Sequence, residues 1–186
     1  MRPMLWLWIV LGVAGVVVLW AIFVFNRLVS LRNRLDNAWS QIDVQLRRRY
    51  DLIPNLVETV KGYAAHERGL FEEVARARSQ GIQAGSVHDQ EKAENMITAS
   101  LRQLLAVAEN YPDLKANQNF AALQEELVGT EGKIAYSRQF YNDEVQTYTT
   151  LTQQFPSSII AGMFRFAPRE FFRTEDATRA AVQVEF

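Results

Sequence analysis

Two histidines and no cysteine leave this 186-residue chain short of the side chains that usually hold metals or act as soft nucleophiles. His66-Glu67 opens like the HExxH helix of zinc proteases, but Leu70 occupies the place of the second imidazole, which must share one helix face with the first to share the metal. His66 is therefore read as a helix-junction residue. Gly129-Thr130-Glu131-Gly132-Lys133 has the glycines and lysine of a phosphate-binding loop without its spacing or its preceding strand. It reads instead as a weak stretch of helix, because glycine costs about 1 kcal/mol relative to alanine at a helical position. No nucleophile beside a base, no metal cage and no phosphate loop emerges. The expectation is a chain that is not an enzyme, with no catalytic residue, no metal site and no cofactor.

The polar constellation at helical spacing is Asp43, Arg47, Asp51, Asn55 and Glu58. It fits a partner-binding or ion-binding row, and it fits better a ladder of pairs such as Asp43 with Arg47 and Arg47 with Asp51 that stabilise their own helix. Arg47-Arg48-Arg49 fans around the helix and is expected to be solvated. Thr130 and Ser137 take places where leucine would continue an apolar stripe, so they are expected to let helices approach and to hydrogen-bond across. Tyr111 and Tyr141 carry polar tips on apolar bodies and should find buried partners. The loop Tyr111-Pro112-Asp113 also suits recognition.

The elements that position these residues follow from apolar spacing. From Leu28 to Ala64 apolar groups recur in steps of three and four through Leu31, Leu35, Ala38, Trp39, Ile42, Leu46, Tyr50, Ile53, Leu56, Val57 and Val60, predicting one long amphipathic helix. Pro54 removes an amide donor and presses on the Tyr50 carbonyl, so a bend is expected there, while the register continues past it. A second helix is predicted over Glu67–Gln83, carrying Leu70, Phe71, Val74 and Ala77. A third is capped by Ser86 with Asp89 in its first turn, carries Met96, Ile97, Leu101, Leu104, Leu105 and Ala108 as its buried stripe, and stops before Pro112. A fourth runs from about Asn117 to Phe155, before Pro156. Short connections make this an all-α, antiparallel up-down four-helix bundle with long first and fourth helices. Its two-helix end needs cover from the C-terminal tail, from neighbouring copies, or from both.

Ahead of the bundle, residues 4–25 are uncharged and almost wholly apolar. As a helix they reach roughly 33 Å, enough to cross a bilayer core. A cleaved signal peptide fits poorly, because Trp20, Ile22, Phe23 and Phe25 stand where small residues are needed. Without cysteine, thioether and palmitoyl anchors are excluded, and the helix itself must be the anchor. Arg27, Arg32 and Arg34 outweigh Arg2, which places the N-terminus outside and the main body in the cytoplasm. Trp6, Trp8, Trp20 and Arg27 are interface candidates. So are Phe164, Arg165, Phe166, Arg169, Phe171, Phe172 and Arg173, an aromatic and basic tail that the topology returns to the membrane, although the same phenylalanines would also cover the thin half of the bundle. Twenty Lys and Arg against 21 Asp and Glu leave a net charge of −1, so no nucleic-acid partner is expected.

Residues 38–57, Ala38-Trp39-Ser40-Gln41-Ile42-Asp43 through Pro54-Asn55-Leu56-Val57, resemble the signature of the LemA family. So do Glu109 to Ala116, Tyr141-Asn142, and Phe155-Pro156 followed by Ile159-Ile160-Ala161. The motif residues are Trp39, Asp43, Arg47, Asp51, Pro54, Asn55, Tyr111, Pro112, Tyr141 and Asn142. The resemblance implies a single-pass membrane protein with a cytoplasmic helical bundle and no attached catalytic activity, and hints at scaffolding through relatives associated with building internal membranes. The expected organisation is an extracytoplasmic end (1–3), a transmembrane helix (4–25), the bundle (26–155) and the tail (156–186). The expected function is self-association into a membrane-attached scaffold, with membrane lipid and further copies of the chain as partners. A membrane-anchored monomeric or dimeric adaptor for an unknown protein is the alternative.

Overall fold

The computed structural model of the protein describes residues 2–172, without the side chains of Arg2, Pro3 and Leu5. Its regular structure is wholly helical: α1 (Arg2–Lys61), α2 (Arg68–Gln83), α3 (Val87–Ala108), α4 (Pro112–Lys115), α5 (Gln118–Gln153) and α6 (Ser157–Met163). The chain forms two compact units, one made of Met1–Val44 with Ile134–Glu170 and the other principally of Gln45–Lys133, so α1 and α5 each contribute to both.

In the first unit the N-terminal part of α1 is long and apolar enough to cross a membrane, and its side chains from Trp6 to Leu19 are exposed. Burial begins at Val24 and continues through Leu28, Leu31, Leu35, Ala38 and Ile42, the predicted stripe. Ile134, Ser137, Tyr141, Val145 and Tyr148 are the buried face of α5 here. Trp39 meets Tyr141 edge-on, with ring centroids 5.8 Å apart. Burial raises the Tyr141 phenol above its ordinary pKa.

In the second unit Leu46, Tyr50, Ile53, Leu56 and Val60 carry the stripe of α1 onward. The helix passes through Pro54 unbroken, as the continuing register required. Ser86 caps α3 by accepting from the Asp89 amide at 3.1 Å. Two short helices were not anticipated. Pro112, whose missing amide costs nothing in a first turn, starts α4 and brings Leu114 into the core, and α6 follows Pro156.

Three expectations are corrected. Met96 is 40 % exposed, and its expected place in the core is taken by Gln90 and Glu94, which lie on the buried face with Ile97 and Leu101. Thr130 is buried but donates to the Glu126 carbonyl of its own helix at 2.8 Å, since a threonine hydroxyl reaches the carbonyl one turn back more easily than another helix. Arg49 is only 2 % exposed and is not part of a solvated basic run.

Candidate functional site: a buried ionic junction

Pro54 has no N–H, so the Tyr50 carbonyl one turn earlier loses its intrahelical donor. Arg78 of α2 supplies the missing bond, its Nε donating to that carbonyl at 2.7 Å. The Tyr50 hydroxyl donates to Glu94 Oε1 on α3 and accepts from Gln90 Nε2 at 2.6 Å. The neighbouring Arg49 donates through one terminal nitrogen to Glu94 Oε2 at 2.8 Å. Its other terminal nitrogen reaches Thr98 Oγ1 at 2.9 Å and Glu131 Oε2 of α5 at 3.0 Å. The motif proline, two successive residues of α1, one side chain each from α2 and α5 and three from α3 thus meet in one connected network.

Gly81 of α2 is where the ring of Tyr50 fits. A β-carbon there would stand 2.6 Å from the Tyr50 hydroxyl and 2.9 Å from its ring carbon Cζ, closer than side chains tolerate. Burial, reinforced by the Glu94 carboxylate, pushes the Tyr50 phenol far above its usual pKa, so it stays a neutral donor across the physiological range. Glu94 and Arg49, 1 % and 2 % exposed, form an ion pair whose desolvation is offset only while both partners are present. The arrangement has the geometry of a lock, joining α1 to α2, α3 and α5 through side chains.

Sequence reasoning missed Arg49, Glu94 and Gln90. A signal was available. Arg49 stands at stripe spacing from Leu46 and Ile53, and Glu94 at stripe spacing from Ile97 and Leu101, so opposite charges occupied apolar positions on two helices. Of the motif row, Arg47, Asp51 and Asn55 are exposed, and Glu58, also exposed, pairs with Lys61 at 3.2 Å. Asp43, Tyr111 and Asn142 are half-buried, and Pro112 is exposed. Both histidines are exposed, and among the described residues no group of three His, Asp or Glu gathers as a metal site would require.

The interface candidates divide. Trp6 and Trp8 are exposed on α1, Trp20 is half-buried, and Arg27 is exposed. After α6 the chain reverses at Arg165, with φ 55°, and the Phe166 amide returns to the Ala161 carbonyl at 2.9 Å in a Schellman turn whose left-handed place glycine more often fills. The turn lays Phe164 and Phe166 against Phe25, with centroids 4.7 and 5.8 Å away, and Arg32 lies 5.6 Å from the Phe166 ring centre. Tyr148 donates to the Ala167 carbonyl at 3.0 Å, and Arg169 pairs with Asp36 at 2.9 Å. Phe171 is exposed and Phe172 buried. Arg173 lies outside the described residues, as does the rest of the expected tail.

A helical chain with a membrane-length apolar helix and an ionic lock in its polar part is a membrane-associated helical protein. Residues 38–186 match the LemA family, and the chain belongs to it. It is 24 % identical over a 179-residue alignment to magnetosome protein MamQ 2 of Paramagnetospirillum magneticum, with 82 % of this chain and 66 % of the relative covered. MamQ 1 of the same organism matches equally. Magnetosome protein MamQ of Magnetospirillum gryphiswaldense is 22 % identical with the same coverage. The chain therefore spans just under two thirds of the length of these relatives.

Proposed function

We propose that this chain is a single-pass, non-enzymatic membrane protein whose cytoplasmic helical domain self-associates into a membrane-attached scaffold. The observation that carries the reading is the continuity of α1, which holds both the exposed apolar segment and the buried stripe of the domain in one helix. A flexible tether would let each domain turn freely. A continuous helix gives every copy in a bilayer the same height and restricts its orientation, so like surfaces meet in one plane. In the first unit Tyr136 is 74 % and Phe140 38 % exposed, one turn apart on α5, and such an outward apolar pair suits contact with another copy.

The magnetosome names of the relatives favour an architectural setting over a metabolic one. Arg27, Arg32 and Arg34 support the cytoplasmic side for the domain. Packing of α1, α2, α3 and α5 as an antiparallel bundle around the Arg49–Glu94 pair is part of the same proposal. The test is the mass of full-length protein extracted in mild detergent. Several copies per particle are expected, falling to one when Tyr136→Glu and Phe140→Glu are combined. A native chain that is monomeric throughout would overturn the scaffold and leave the adaptor reading.

A further inference from the structure

Among the described residues, the tail meets one side of the first unit, through Phe25, Arg32 and Asp36. At about 100° per residue, Phe25, Arg32 and Asp36 share one face of α1, while Arg27 and Leu31 lie on the opposite face. That opposite flank holds a groove of about 520 Å³ lined by α1 and α5, with Leu31 and Leu151 among its walls, Thr147 and Thr150 along α5 and Gln154 just past its end. Arg27 stands at its end, immediately after the apolar segment. Val16 and Phe23, both 68 % exposed, line up with Arg27 on the same face of α1, so an apolar track leads from the membrane-length segment to the mouth of the groove.

The lining is chemically selective. Thr147 Oγ donates to the Asp143 carbonyl at 2.9 Å, and Thr150 Oγ donates to the Gln146 carbonyl at 2.8 Å. Their hydroxyl protons are used, and what they offer the groove is acceptor lone pairs. Asp143, which accepts from Gln139 Nε2 at 2.9 Å, adds a carboxylate to the lining about 16 Å along the helix from Gln154. A cation at the mouth with hydroxyl acceptors beyond it matches a phosphate followed by a group carrying its own hydroxyls.

We propose that this groove is a binding site for an anionic phospholipid with a hydroxyl-bearing headgroup, of the phosphatidylglycerol kind. The acyl chain lies along Val16 and Phe23, the phosphate meets Arg27, and the headgroup hydroxyls donate to Thr147 and Thr150. The inference rests on α1 spanning a membrane and is independent of self-association.

The experiment incorporates the full chain into nanodiscs of phosphatidylcholine with increasing phosphatidylglycerol, and counts the lipids retained on the protein by native mass spectrometry. Preferential retention of phosphatidylglycerol is expected. Arg27→Gln should weaken it about fivefold, the loss of one basic contact with an anionic lipid. Thr147→Trp, which fills the groove without changing charge, should weaken it comparably, whereas Arg32→Gln, on the tail side, should not. Equal retention of both lipids, equal losses from Arg27→Gln and Arg32→Gln, or displacement by millimolar inorganic phosphate would each overturn the site. Incorporation into the discs is scored separately, and a native chain that fails to insert would refute the membrane reading itself.

Discussion

Glu94 is the residue on which most of the buried polar chemistry converges, since Arg49, Tyr50 and Gln90 all hydrogen-bond to it. Removing one member of a buried ion pair leaves the other charged and desolvated, at a typical cost of about 3–5 kcal/mol, whereas replacing both with apolar groups of similar volume is often neutral. Glu94→Leu or Arg49→Met alone should therefore lower the melting temperature sharply, and the double variant should recover most of the loss in a thermal melt. Tyr50 gives the pH dependence. Its folded-state pKa is raised above the ordinary 10.0, so above that pH the unfolded chain releases a proton that the folded chain retains. Stability is thus unaffected by this group at neutral pH and falls as pH rises beyond 10. Melts between pH 8 and pH 11, about the range where tyrosine begins to ionise, should show a steeper decline for the native chain than for Tyr50→Phe.

At the scale of elements, Pro54 and Arg78 work as a pair across two helices. Pro54→Ala returns an amide to the Tyr50 carbonyl, which then no longer needs the Arg78 donor. Arg78→Met should cost about 1 kcal/mol in the native background and markedly less beside Pro54→Ala, a coupling that a double-mutant cycle measures. The same elements show what the sequence made legible. The stripe from Leu28 to Val60 could be read because its apolar residues repeat at one period, and Ser86 could be read because a cap is local chemistry. Arg49 and Glu94 could not be paired in the same way: each is a charge at a stripe position, but they are 45 residues apart and nothing local joins one to the other. Met96 was misread as core for the converse reason, an apolar side chain beside the true stripe. The turn at Arg165 carries no glycine to announce a left-handed residue, so the return of Phe166 to Phe25 was visible only as a concentration of aromatic residues.

For the whole molecule, the central claim is that one continuous helix carries the domain at a fixed height above a bilayer so that copies meet. The resemblance carried by Trp39, Pro54 and Tyr141 gave the family, which the match over residues 38–186 bears out, but association between copies leaves little trace in one chain because exposed apolar groups such as Tyr136 are common on monomers too. The most direct measurement is single-molecule photobleaching of the full-length chain, fused to one fluorophore, in native membranes at low expression. Several bleaching steps per spot are expected for the native chain, and single steps when Tyr136→Glu and Phe140→Glu are combined. Single steps for the native chain, at every density examined, would contradict the claim.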